Sequence, residues 1–447
     1  MRIFIPNNNI SERKYIIDIL LKGFLGLIYT IEIKDIQNYE IVLENGNKLI
    51  IEDHFFNKLS KDLEYLDEKN IPQKVKFAKN DFIVENDIPI IYGTNKILIT
   101  NHQLLITLTC GIDIFASSFF MLARWEEYVN KIKDKHNRFP AYASLAYKNN
   151  FLDRAVVNEY IEMFWNMLKF LGCKQERKKR EFTFVLTHDV DHSYRFKNYR
   201  DIFRILLADL LIRKDIKELK TNLHYIMNKK DPFDTYDCLM DISEMVGVKS
   251  YFFLHSSNSA KQDVNNDKFL KEVAKKILDR GHYLGYHPSY NAYNNLEIFI
   301  KDKEKIENII EYKLTFGRQH YLRFEVPTTW QIWEEAGMEW DSTLGYADKE
   351  GFRCGVCYPY SVFDIIKRKK LQLKEKPLIA MEGSFIVYQS EMTPKQIEQR
   401  IKKLIEKIKK YNGEFIFLWH NSSFGGSWKK YEYIYEKTLK SVGNEKN

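Results

Sequence analysis

The sequence predicts an α/β protein in two parts: an N-terminal α+β domain over residues 1–172, and a barrel-like (β/α) domain over 181–447. Three observations predict it. After a charged, turn-prone stretch at 172–180, apolar strand-like runs alternate with helix-like segments, the pattern of parallel strands with crossover helices. Before that stretch the strands are short and joined by hairpin signals. In the second half, ionisable residues gather directly after the apolar runs, where α/β barrels keep their functional groups.

Residues 1–6 read as a strand and 12–24 as a helix. Short strands at 41–43 and 49–52 flank Glu44-Asn45-Gly46, a hairpin turn. Two more strands lie around Tyr92-Gly93-Thr94-Asn95. Phe115, Phe119, Leu122 and Trp125 recur at helical spacing, so 113–128 reads as a helix. A further helix spans 156–171. In the second half the strand candidates are 182–187, 250–254, 282–286, 315–321, 378–381 and 414–418. Helices fit at 232–246, 267–280, 296–313, 328–336 and 394–410, and 198–229 is a helical excursion after the first strand.

Composition narrows the function. Apolar residues make up 45% and aromatics 15% of 447 residues, enough for sizeable cores. The formal charge of +8 has its bland explanation in solvated helix faces such as 395–410. There is no zinc finger, RNA-recognition motif or basic region with heptads, so nucleic acid is not an expected partner. Five scattered cysteines are no disulfide framework, and Cys354-Gly355-Val356-Cys357 is a single CxxC that reads as a tight turn. The apolar stretch 104–122 is interrupted by Asp113, so it reads as a buried helix or strand–helix pair and not a membrane span. The N-terminus lacks a signal peptide's pattern, and the cytoplasm is the expected compartment.

The chemistry concentrates at four strand ends. The first runs into His188-Asp189-Val190-Asp191-His192, denser in ionisable groups than helix capping needs. The third ends on His287, with His282 at its opposite end. The fourth holds Arg318 and His320, two apart and therefore on one side of an extended segment. The last delivers His420 after Trp419.

With these residues in place, the second half resembles the polysaccharide deacetylases of carbohydrate esterase family four. Thr187-His188-Asp189-Val190-Asp191 stands where that family has Thr-Phe-Asp-Asp. Gly281-His282-Tyr283-Leu284-Gly285-Tyr286-His287, Arg318 with Gly337, and Leu418-Trp419-His420 are similar to its later motifs. Residues 1–170 resemble an uncharacterised domain that often precedes such catalytic domains. The resemblance implies a distorted (β/α) barrel and a metal-dependent hydrolase acting on N-acetylated amino sugars or polysaccharide. It implies a divalent ion, zinc foremost, on Asp191, His287 and a third ligand; Asp189 as base, held by Arg318; and His420 as acid. Two departures stand out. The aspartates are separated by Val190, which leaves the roles of Asp189 and Asp191 exchangeable. Asn291 occupies the place of the family's second histidine, so His320 is the expected third ligand, with Asn291 and His192 as alternatives.

Trp419 is the expected sugar-stacking residue, and Asp341 and Arg353 are candidate pocket-lining residues; core packing and solvated loop charge are the alternatives. An O-acetyl esterase uses the same constellation, and an inactive carbohydrate-binding or scaffolding protein is the non-enzymatic alternative. The sequence carries no indication of oligomeric state.

Overall fold

The computed structural model describes the chain except residues 103, 193, 197–198, 256–263, 425 and 444–447. It contains two main sheets. The N-terminal one has six strands, in the order Thr30–Lys34, Arg2–Pro6, Tyr39–Val42, Lys48–Ile51, Leu105–Ile112 and Gly93–His102. The Glu44-Asn45-Gly46 turn joins two of them antiparallel. The stretch expected to be a strand–helix pair is one: Leu105–Ile112, then a helix from Ile114 to Ala123 capped by the Asp113 side chain. That helix stops earlier than its periodicity suggests, because Arg124 adopts a left-handed backbone (φ 52°) and a second short helix, Trp125–Val129, begins there.

The C-terminal sheet has nine strands. Its order is Tyr360–Asp364, Lys369–Glu375, Trp340–Asp341, Phe316–Gly317, Tyr283–His287, Ser250–His255, Thr183–Val190, Glu414–Leu418 and Ala380–Met381. All neighbours are parallel except the hairpin formed by the first two, which the strand candidates above do not include. The crossover helices Tyr236–Met245, Val264–Asp279, Leu296–Ile310, Thr328–Glu335 and Pro394–Lys410 fall where expected. The mixed α/β class holds. Among the described residues no pairing joins the two end strands, so the hydrogen bonds do not show closure of the sheet into a barrel.

The hydrophobic core passes without interruption from one half to the other. Tyr15 donates its hydroxyl hydrogen to the carbonyl of Ser361, and Tyr360 to that of Leu122. The 354–357 turn is buried in this seam: Val157 N–H donates to the Gly355 carbonyl, and Cys357 N–H to Asn158. Gly355 has φ 64°, and a Cβ there would meet Val156 and Met121 within 3 Å, so both conformation and space require glycine.

Candidate active site

The first strand of the C-terminal sheet runs three residues further than its apolar run suggests, through His188, Asp189 and Val190. Side chains alternate across a strand, and this extension sorts the cluster. Thr187, Asp189 and Asp191 share one face. His188 and Val190 point to the other, where His188 is fully buried against Phe252. The valine that separates the two aspartates is thus what lets both carboxylates face one cleft.

Arg318 organises Asp189. The guanidinium is fully buried and donates to Asp189 Oδ1 at 2.8 Å and to Thr187 Oγ1 at 3.0 Å. It also donates to the Ser342 carbonyl and hydroxyl. Arg318 does not lie on an extended strand as expected. The pairing ends at Gly317, and Tyr321 and Leu322 turn back with positive φ. Backbone curvature, not two-residue alternation, brings His320 to the same cleft.

Asp191, His287 and His320 converge, with one potential ligand atom from each lying within 4.8 Å of the others. His287 Nδ1 donates to the Arg318 carbonyl at 2.7 Å. A carbonyl only accepts, so Nδ1 carries a proton, and Nε2 faces Asp191 Oδ1, 3.0 Å away. His320 Nε2 is 3.5 Å from the same oxygen, and its buried Nδ1 has no hydrogen-bond partner among the described residues. Burial and the neighbouring His287 push His320 down to about 2, which keeps it in the neutral, ligating form. Burial works against ionised Asp191, but the hydrogen-bond contact with His287 and the charge on His420 outweigh it and hold the carboxyl well below its ordinary range. Two imidazoles and one carboxylate suit a divalent ion. Ligand atoms around a tetrahedral zinc sit ~3.4 Å apart, close to the separations found here, so the donor set fits the group.

His420 lines the same cleft. Its Nε2 lies 3.7 Å from Asp191 Oδ2, and its Nδ1 donates to Glu382 Oε1 at 2.6 Å. Glu382 is buried, and its Oε1 also accepts from His420 N–H and the Ser423 hydroxyl. Burial disfavours the imidazolium, but the Glu382 carboxylate outweighs it and raises His420 to about 10. Sequence reasoning missed Glu382, which directly follows the strand Ala380–Met381. It also missed His255, at the end of Ser250–His255, whose ring lies 4.5 Å from that of His320.

The cleft encloses about 300 Å³. Its outer wall includes Arg138, from the N-terminal half, which donates to the Tyr321 carbonyl and the Tyr388 hydroxyl. The three expected substrate contacts are placed elsewhere. Trp419 is buried among Phe417, Phe424 and Tyr435, because alternation turns it away from His420. Asp341 is fully buried and accepts from Thr343. Arg353 is buried in an ion pair with Glu127, and Arg124 donates to the same carboxylate. Nor do the alternative third ligands join the cluster: Asn291 is exposed and accepts from Arg323, and His192 is exposed and stacks on Phe233.

Residues 1–173 match a family of unknown function, DUF7033. No curated protein matches the chain. Among solved structures it is similar to a candidate polysaccharide deacetylase from Mycobacterium smegmatis, at 13% identity and TM-score 0.40, over 60% of this chain and 85% of that one. A CE4-family pseudoenzyme from Bacillus anthracis gives 13% identity and TM-score 0.31, over 59% of this chain and 62% of that one. A point mutant of the peptidoglycan deacetylase PdaC from Bacillus subtilis gives 10% and 0.28, over 60% and 85%.

Proposed function

We propose that the chain is a metal-dependent hydrolase that removes N-acyl groups from amino sugars or their polymers. One observation carries the reading: two imidazoles and a carboxylate bring ligand atoms within 4.8 Å of one another, beside an arginine-held carboxylate and an imidazole bonded to a buried glutamate. Asp191, His287 and His320 would hold the ion, zinc by the donor set. When bound, a divalent ion there supplies Lewis acidity toward the acyl carbonyl and makes water more acidic.

The remaining steps belong to the chain's own side chains. Asp189 accepts the proton of the attacking water as its oxygen bonds to the acyl carbon. Arg318, fixed by Ser342, holds the Asp189 carboxylate and points it into the cleft. His420 gives its Nε2 proton to the sugar nitrogen as the carbon–nitrogen bond breaks. Glu382, holding Nδ1–H, keeps that ring charged and oriented. An ester passes through a similar oxyanion, so O-acetyl groups compete as substrates.

The test is metal analysis of the purified chain, together with acetate release from chito-oligosaccharides, nucleotide-linked amino sugars and O-acetylated glycans. Bound zinc with amide turnover supports the reading. A chain that neither holds nor gains a divalent ion is a binding or scaffolding protein instead.

A further inference from the structure

The excursion after the first strand of the C-terminal sheet has no counterpart in the mechanism, and its surface is unusual. It consists of the helix Tyr199–Leu207, a π-type continuation Ala208–Ile212, and the helix Ile216–Met227. In a surface helix the apolar stripe normally faces the core. Here it faces solvent: Tyr199, Phe203, Leu207 and Leu211 recur at four-residue steps and are all exposed, Phe203 at 66% and Leu211 at 60%. Ile212 and Ile216, at 81% and 63%, extend the stripe across the bend, and Leu223 and Met227 carry it along the second helix.

The pair is held in shape by polar contacts. Asp209 is fully buried and accepts from Asn222 of the second helix, at 2.7 Å, and from Arg213. Asp215 caps the second helix at the Glu218 N–H. The exposed stripe is therefore a built face of a folded element.

Charge completes the pattern. Residues 195–230 hold ten lysines and arginines against four acidic residues, a net +6 in a chain whose total is +8. Arg200 and Arg204 are exposed one position beyond Tyr199 and Phe203, and Lys214 and Lys220 are exposed beside Ile216. Apolar side chains with basic neighbours, whose long stems let the charge reach past them, match the headgroup boundary of an anionic bilayer. A nucleic-acid surface would call for phosphate contacts without a leucine stripe. The excursion also borders the active site. A cavity of about 330 Å³ between it and the body, lined by Tyr225, Phe233 and Arg195, shares Ser422 and Trp428 with the catalytic cleft.

We propose that 199–227 is an interfacial dock for an anionic lipid surface, which seats the chain on a membrane with the cleft beside the contact. No helix among the described residues is long and apolar enough to cross a membrane, so the contact is peripheral. The dock does not depend on what the cleft hydrolyses.

The experiment is co-sedimentation of the full chain with vesicles of phosphatidylcholine alone, or with about 30% phosphatidylglycerol. Binding is expected to the anionic vesicles, several-fold weaker to the neutral ones, and weakened by high salt. Phe203→Glu with Leu211→Glu changes exposed side chains only and should reduce binding at least about tenfold, with the melting temperature unchanged. Should that pair disturb folding, Arg200→Glu with Arg204→Glu reads the charge component alone and should abolish the preference for anionic vesicles. Absence of binding to either vesicle overturns the proposal, as does full binding by the glutamate variants. So does a solution dimer that the Phe203/Leu211 pair dissolves, which would make the stripe a self-association face. Sedimentation needs no metal and no turnover, so its failure and that of the hydrolase reading are separate outcomes.

Discussion

Glu127→Gln tests how the two halves of the molecule are joined. Glu127 is fully buried, bonded to Arg353 of the C-terminal half at 2.9 Å and to Arg124 at 2.9 Å. Burial alone would raise its pKa. The two guanidiniums overcome this and bring the carboxyl from its ordinary 4.5 down to about 2. At 1.36 kcal/mol per pH unit, ionised Glu127 stabilises the fold by ~3 kcal/mol. Removing one partner of a buried pair costs ~3–5 kcal/mol on independent grounds, because the other charges are left unmatched. Glutamine keeps the shape and loses the charge, so a destabilisation of ~3–4 kcal/mol is expected at neutral pH. With an unfolding entropy of ~2.1 cal/mol/K per residue, a chain of this size melting as one unit should lose ~3–4 °C in Tm. The assay is calorimetry alongside urea unfolding from pH 7 downward. Because the folded pKa is depressed, the wild-type advantage is complete above pH 4.5 and lost as pH falls toward about 2. A variant within about 0.5 kcal/mol of wild type at pH 7 would show that the charge couples nothing. Two separate melting transitions, with only the N-terminal one moved, would rule out a shared core.

Other substitutions address the site and its support. Asp189→Asn and His420→Ala should each lower kcat on an N-acetylated substrate by ~10²–10⁴-fold with bound metal retained, read by steady-state rates and metal analysis; full activity in either would remove that residue's assigned role. His320→Ala should lower zinc affinity in a chelator competition, while Asn291→Ala and His192→Ala leave it unchanged; the reverse order would move the third ligand. His188 is held down to about 4, by burial first, while its Nδ1 donates to the Trp419 carbonyl. Its contribution is therefore complete above pH 6.5 and lost as pH falls toward 4, at up to ~1.4 kcal/mol per pH unit. His188→Asn should flatten the stability profile over that window in urea unfolding, and an unaltered slope would contradict the assignment.

Much of the cleft was readable because a strand end is a local event. An apolar run that stops at a histidine delivers that side chain to the sheet's C-terminal edge, and His287 and His420 are found by that rule alone. The same rule, applied to the runs ending at Met381 and Leu254, would have found Glu382 and His255. Trp419 illustrates its limit, since adjacency in sequence to His420 puts the indole on the opposite face. Arg353 is a longer-range failure, because its partner Glu127 lies 226 positions away and no local pattern reports such a pairing.

Periodicity and turn chemistry act over a few residues. The α/β class, the crossover helices and the chemical types gathered at the strand ends were therefore written in the local order of the chain. Which of those residues meet was left to long-range packing. The extension of one strand by three residues put Asp189 and Asp191 on a common face, and the backbone turn after Gly317 carried His320 to them. Long-range packing also made the seam between the halves one core and left the stripe at 199–211 facing water. Whether an apolar face is covered depends on what packs against it, and packing is a property of the folded whole.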